Sequence, residues 1–244
     1  MLENNSAANL AKQEIIDELL SNLPQDTSIK VELPSECRVY PDLPTDEPVT
    51  IRPVTFEDEK LIASTRGEDG SNLLLERCVP NVQIGNLLSM DKIFLLLKVR
   101  EISYGADYHP TIACNHCGAE TKSVFNISDL TVNPVPDDFT DTVTVDLPVS
   151  KRTVVIRIPR VKDDKYIKDI YSNLWRFVVS VDGHTDTIVK SGFIKGIPIR
   201  DTKTLINAMA LDYGVETKIQ FNCPECSKTS VIELPIDSGF FGVN

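Results

Sequence analysis

Four of the six cysteines in this 244-residue chain stand as two Cys-x-x-Cys pairs, Cys114-Asn-His-Cys117 and Cys223-Pro-Glu-Cys226. A thiolate is a soft, strong metal ligand, and two thiolates on one tight turn can share one ion. Two such turns supply the four donors of a tetrahedral structural zinc site. Such a set is closed: it leaves no ligand position for water or substrate, so it predicts a cross-link and not a catalyst. An iron–sulfur cluster uses the same ligands and is the alternative. A redox disulfide within each pair comes third, because neither pair follows a thioredoxin-like βαβ pattern.

Other candidate chemistry is thin. His116 lies inside the first pair, and a set of three cysteines with this histidine is conceivable. Four cysteines already suffice, so His116 is read as an exposed loop residue. His109 and His184 are isolated, and no Ser-His-Asp or Cys-His arrangement can be built from the three histidines. Asp137-Asp138 falls in a Pro-flanked loop and Asp163-Asp164 in a helix first turn, which are solvated settings. No Gly-rich phosphate loop of Walker or Rossmann type is present. The expectation is a protein that is not an enzyme.

The elements that position the cysteines repeat. Each pair lies between two strand-like runs: His109-Pro-Thr-Ile-Ala and Thr121-Lys-Ser-Val-Phe around the first, Lys218-Ile-Gln-Phe-Asn and Thr229-Ser-Val-Ile-Glu around the second. Strand, tight turn, strand is the path of a zinc knuckle. Gly118 follows the first pair where a positive φ is wanted, and Ser227 holds that place in the second. Lys122 and Lys228 are close in sequence, where they would offset thiolate charge. Further upstream, Val49-Thr-Ile-Arg matches Val154-Val-Ile-Arg, each leading to an acidic helix start. Glu101-Ile-Ser-Tyr-Gly matches Ala210-Leu-Asp-Tyr-Gly, and Val31-Glu-Leu-Pro34 matches Val145-Asp-Leu-Pro148, with a further echo at Ile232-Glu-Leu-Pro235. Matches in the same order imply an internal duplication, which explains the long separation between the two pairs.

The fold class expected is α+β: two similar half-chain modules of short antiparallel strands and helices, joined by a zinc-ribbon-like four-cysteine site. Residues 1–27 form an N-terminal docking helix, 28–133 the first module and 134–244 the second module with a C-terminal tail. In the first module Thr55 to Arg66 opens with a Thr-x-x-Asp cap. Met90 to Tyr104 reads as a buried helix opening at Ser89 or Asp91 and closing at Gly105. In the second module Lys165 to Val181 reads as a longer helix holding Trp175 and Phe177. A later helix is capped by Asp201, carries Leu205, Ile206, Met209 and Ala210, and ends at Gly214, so that a helix C-terminus feeds each knuckle.

Bulk composition narrows the class. Hydrophobic residues make up 41% and charged residues 25%, as in folded soluble domains, and the net charge is −11. That balance argues against a free-standing nucleic-acid binder, which needs a basic face. No apolar run reaches the roughly 20 residues of a membrane span, and the start lacks a secretory signal pattern. Cys37 and Cys78 are read as buried small hydrophobes in a reducing compartment.

Both ends offer candidate partner-binding residues. Leu10, Ile15, Ile16, Leu19, Leu20 and Leu23 lie along one amphipathic stretch that Pro24 stops. A helix this short is marginal alone, so its apolar face must pack on its own body or on a partner. Phe240 and Phe241 sit in a Gly-rich tail that either tucks into this chain or inserts into a neighbour.

The run Ile51-Arg-Pro-Val-Thr-Phe-Glu-Asp-Glu-Lys, then Phe94-Leu-Leu-Leu-Lys-Val-Arg-Glu-Ile-Ser-Tyr-Gly, then Cys114-Asn-His-Cys117 resembles the baseplate hub and hub-assembly proteins of T-even-type contractile-tailed bacteriophages. The resemblance covers residues 28 to 130 well and the second half more loosely. It implies a non-catalytic virion component made in the host cytoplasm and placed in the tail baseplate. Its partners would be hub, tube, spike or wedge subunits, with no direct nucleic acid and no membrane span. An assembly factor absent from the mature particle, or a zinc-ribbon adaptor in a nucleic-acid-processing complex, is the alternative.

Overall fold

The structure, a computed structural model, describes residues 12–19, 27–43, 47–65, 68–236 and 238–241. Residues 12–19 form a short helix, α1, with Ile15, Ile16 and Leu19 exposed. Leu10, Leu20 and Leu23 lie outside the described residues.

The strand β1 (Ile29–Val31) pairs antiparallel with β2 (Val49–Ile51), which turns Val49 and Ile51 into the core. Helix α2 (Phe56–Ser64) starts as its sequence predicts. The Thr55 amide donates to the Asp58 carboxylate at 2.9 Å, and the Asp58 amide reaches back to Thr55 Oγ1 at 3.4 Å. Helix α3 (Glu68–Cys78) ends at Cys78, whose carbonyl accepts from the Arg52 amide at 2.9 Å. Helix α4 (Ser89–Tyr104) is the central rod. Met90, Phe94, Leu95, Leu96, Leu97 and Val99 are all buried, so it is covered on most sides, and Gly105 caps it at φ +88°.

From there the chain makes a series of short hairpins. Strand β3 (Asp107–Tyr108) pairs with β6 (Phe125–Asn126), and nested between them β4 (Thr111–Ala113) pairs with β5 (Glu120–Lys122). After β7 (Val132–Asn133) come β8 (Thr142–Asp146) and β9 (Thr153–Arg157) of a three-stranded sheet. The expected long helix over Lys165 to Val181 does not form. It is broken into α5 (Asp164–Ile167), α6 (Ile170–Asn173) and a single tight turn, and Val178–Val181 becomes β10, the third strand of that sheet. Val-Val-Ser-Val favours a pleated surface, and the β9 edge was free to receive it.

Helices α7 (Thr187–Gly196) and α8 (Ile199–Ala208) follow. Two expectations need correction here. Asp201 does not cap α8: it lies inside the first turn, fully buried, and accepts from the Val149 and Ser150 amides, both at 2.8 Å. Gly214 does not end the helix, which stops at Ala208. Gly214 opens β11 (Gly214–Val215), and a Cβ there would meet Met90 Cβ at 2.7 Å, so the glycine permits close approach to α4 as well as a φ of +92°. Only the first knuckle is fed directly by a helix end. Strand β11 pairs with β7, and β12 (Lys218–Asn222) with β13 (Thr229–Glu233).

The cores do not divide at residue 133. The largest gathers Ile51, Leu75, Leu88, Leu95 and Val99 with Ile158, Val161, Leu234, Phe240 and Phe241. A second, around Leu174, Phe177 and Leu205, belongs to the sheet β8–β10 with α7 and α8. Phe240 and Phe241 tuck into this chain. Phe240 packs edge-on against Tyr108 at 4.9 Å, and the Arg100 guanidinium lies over both rings at 5.1 and 5.4 Å. Arg100 also donates to the Gly105 and Asp107 carbonyls. Burying two large rings outweighs leaving them on a free tail.

Candidate metal centre

Each Cys-x-x-Cys turn closes a hairpin by the same bonds. The Cys114 amide donates to the Ala119 carbonyl at 2.9 Å, and the Cys223 amide to the Lys228 carbonyl at 3.0 Å. The Gly118 and Ser227 amides return to the Cys114 and Cys223 carbonyls, both at 2.9 Å. Gly118 and Ser227 sit at φ +75° and +57°. The strained serine does in the second turn what glycine does without strain in the first. Registers Ala113↔Glu120 and Asn222↔Thr229 lead each hairpin straight into its turn.

The two hairpins lie face to face over a small apolar cluster of Ile112, Phe221 and Ile232. Cys114 Sγ is 3.7 Å from Cys226 Sγ, and Cys117 Sγ is 3.7 Å from Cys223 Sγ. All four sulfurs lie within 4.8 Å of one another. A disulfide would bring two of them to about 2.05 Å. A tetrahedron with metal–sulfur bonds of ~2.3 Å has edges of about 3.8 Å. Four thiols so placed are able to hold one metal ion. Cys114 and Cys223 are buried, Cys226 is half-buried and Cys117 is exposed.

The electrostatics fit ligation. The His116 amide donates to Cys114 Sγ at 3.4 Å. With the Cys117 amide it pulls the Cys114 thiol down to about 6 despite burial. At Cys117 the Ala119 amide also lowers the pKa. Desolvation and the crowding sulfurs of Cys226, Cys114 and Cys223 nevertheless push it up to about 12. The thiolate is thus favoured at Cys114 by its backbone amides and opposed at Cys117 by the neighbouring sulfurs. His116 is exposed, with Nε2 3.4 Å from the Thr229 carbonyl, outside the sulfur cluster. Lys122 and Lys228 are exposed. Cys37 and Cys78 are free and buried, and burial raises the Cys78 thiol to about 11.

The sulfurs stand on a seam where both halves of the chain are bonded together. Strand β7 pairs with β11, the Val161 amide donates to Leu87, and Lys92 pairs with Asp164 at 3.4 Å. Arg160 reaches the Asn86 and Val39 carbonyls and Asp141 and lies over Tyr40. The linear pattern did not mark Arg100 or Arg160, because nothing in it distinguishes an arginine that will lie, buried or half-buried, over an aromatic ring.

A family model described as T4 bacteriophage base plate protein matches residues 28–242. The chain belongs to that family. The match spans both halves, including both cysteine pairs and the tail aromatics, and so reaches well beyond the stretch that carries the resemblance most clearly. Comparison with curated proteins and with solved structures gave no match. A T4-type baseplate protein has its place in the virion tail and its contacts with other tail proteins. Among the described residues no helix is long and apolar enough to cross a membrane.

Proposed function

We propose that this protein is a non-enzymatic structural component of a contractile-tail baseplate, a hub subunit or hub–wedge connector that assembles through protein–protein contacts. The observation that carries the reading is the family match over residues 28–242. A closed thiolate set suits the role, since it offers cross-linking and no open coordination position. We take the ion to be zinc. Sulfurs that all lie within 4.8 Å of one another suit a single ion, whereas a multi-iron cluster holds its outer sulfurs further apart.

The same reading treats the chain as two similar modules, 28–133 and 134–244, stapled by the metal, with residues 1–27 as a docking arm. Paired bonds support it: Arg52 grips Asp58 as Arg157 grips Asp163, and Asp91 holds the turn after Leu33 as Asp201 holds the turn after Leu147. Two measurements test these proposals. Elemental analysis of the purified chain is expected to give one zinc per polypeptide, and iron with visible charge-transfer absorption would overturn that choice. Electron microscopy of tails with the chain labelled is expected to locate it at the baseplate centre. Its absence from finished particles would replace the structural role with a transient assembly one. Leu19→Asp with Leu23→Asp is expected to block baseplate assembly while leaving the metal bound.

A further inference from the structure

Two apolar surfaces of opposite charge face solvent among the described residues. The first is on α7. Phe193 and Ile194, with Ile197 just beyond the helix, pack against the second core, yet no residue of α7 is fully buried. Its other side presents Ile188, 81% exposed, and Val189, 46% exposed, and runs on to Ile199 of α8, 60% exposed. Gly192 and Gly196 follow Ile188 at four-residue steps, and a Cβ at either would meet nothing within 4 Å. Lys195, Arg200 and Lys203 border this face, while Lys190 lies on the half-buried side with Ile194; none of the four forms a salt bridge with a described residue. Two acids lie on this stretch: exposed Asp186 caps α7 and is engaged by the Ile188 and Val189 amides, and Asp201 is buried and held by the Val149 and Ser150 amides. In a chain of net charge −11 this is a local basic patch around an apolar strip.

The second surface is α1. Ile15, Ile16 and Leu19 are 55, 46 and 65% exposed, and Glu14, Asp17 and Glu18 share the helix with the single base Lys12. Every residue from 12 to 19 is exposed, so among the described residues no core covers the apolar face of this helix. An isolated helix of this length does not hold itself together in water.

We infer that α1 of one copy docks on the α7–α8 face of a second copy, its isoleucines and leucine on the Ile188–Ile199 strip and its carboxylates among the lysines. Exchange in both directions gives a two-fold dimer in which the same two patches meet twice. The glycines let the arm approach the α7 backbone closely. The inference rests on the reading of α1 as a docking arm and names what it docks on.

The test uses the full-length, metal-loaded protein in sedimentation velocity and light scattering over a dilution series. A reversible dimer is expected, weakened by salt because the rim is charged. Ile188→Asp is expected to raise the dimer Kd by roughly tenfold or more, as for loss of a central apolar anchor. Lys195→Glu with Lys203→Glu is expected to weaken it too, and mixing that variant with Glu14→Lys, Asp17→Lys chains is expected to restore association. Unchanged circular dichroism and metal content exclude misfolding. A chain monomeric at every concentration, a dimer indifferent to both variants, or a photo-crosslink from residue 16 to α7 within a single chain would each overturn the inference. A strict monomer whose baseplate assembly still requires Leu19 sinks the dimer and leaves the docking-arm reading standing. A dimer whose arm is dispensable for assembly does the reverse.

Discussion

The two halves of the chain share their polar clamps and differ in their apolar filling. After β2, Arg52 holds Asp58 with two bonds, at 2.7 and 3.2 Å; after β9, Arg157 holds Asp163 at 2.5 and 2.9 Å. Each of those aspartates also caps its own turn, through the Thr55 or Arg160 amide, both at 2.9 Å. The Arg52 amide donates to Cys78 and the Arg157 amide to Phe177. Gly105 and Gly214 both take positive φ before a knuckle. Between these fixed points almost nothing matches: α3 and α4 fill the first half, broken turns with β10, α7 and α8 the second. Apolar volume can be repacked with many residues. A bidentate ion pair, a buried cap or a left-handed residue has few substitutes. The clamps therefore fix the frame, and the cores adapt to it.

The largest expected effect comes from breaking the joint between the halves. Structural zinc contributes about 10 kcal/mol in zinc-finger peptides, and the apolar cluster under the sulfurs is small. Removing the metal with a chelator is expected to expose β4–β5 and β12–β13 to amide hydrogen exchange. The sheet β8–β10 with its own core should stay protected. Cys114→Ser and Cys223→Ser occupy equivalent places, and the comparison predicts equal losses. Protection of both hairpins without metal would show that the apolar packing alone suffices.

Next come the clamps themselves. Asp58 is fully buried and takes Arg52 and Arg77 together, whereas among the described residues Asp163 forms an ion pair with Arg157 alone. Burial opposes the charge on both, yet the guanidinium and amide donors hold both carboxyls below the usual range. Asp58→Ala is expected to cost about 2–4 kcal/mol, discounted from the figure for a buried pair because both arginines reach solvent. Asp163→Ala should cost less. Denaturant unfolding of the two variants ranks them, and a reversed order would show that the clamps are not equivalent. The pH dependence has a fixed sign. These depressed carboxyls contribute stability that is complete above about pH 4, the unfolded carboxyl range. It is lost as pH falls further through their folded values.

Much of this was legible in the linear chain, for physical reasons that differ by residue. The cysteine spacing, the Thr55–Asp58 cap and Gly105 are local chemistry, readable within a few residues, and each lies where the sequence puts it. Strand β10 was not legible, because Val178–Val181 is a strand only by virtue of β9 beside it. Helix α7 hides in Thr-Ile-Val-Lys-Ser-Gly, whose β-branched and glycine residues give poor helix propensity, and it is held by an Asp186 cap and by Phe193 and Ile194 on the core. Asp201 has the sequence of a cap but the task of binding two amides far away in the chain. A tertiary partner is invisible to spacing.

A glycine pair sharpens the comparison further. Gly105 and Gly214 precede their knuckles at φ +88° and +92°, but a Cβ on Gly105 would meet nothing within 4 Å while one on Gly214 would strike Met90. Gly105→Ala is expected to cost about 1–3 kcal/mol from backbone strain alone, because φ +88° with ψ 170° is a region essentially reserved for glycine. Gly214→Ala should add the steric cost of moving α4, roughly 1–3 kcal/mol more. Equal losses in thermal unfolding would mean that the approach to Met90 relaxes freely.

The smallest expected effect separates the two buried helix aspartates. Asp91 is enclosed with Tyr40, which donates to it, and accepts the Ser35 amide at 3.1 Å; burial raises its carboxyl above the usual range in spite of those donors. Asp201, with two backbone amides, is held low although desolvation opposes it. The signs are opposite. Asp91 subtracts stability as pH rises above the unfolded carboxyl range, and Asp201 adds stability there. Asp91→Asn keeps an acceptor for Ser35 and removes a poorly solvated charge, which offsets turning an NH₂ toward the Tyr40 hydroxyl, so it is expected to change stability by only about 1 kcal/mol at neutral pH. It should also flatten the decline above pH 4. Asp201→Asn turns an amide NH₂ toward one of two N–H donors and should lower the melting temperature measurably. If Asp91→Asn proved the more damaging of the two, the buried charge would have to be earning its place through Tyr40, and the first half would depend on that contact in a way the second does not.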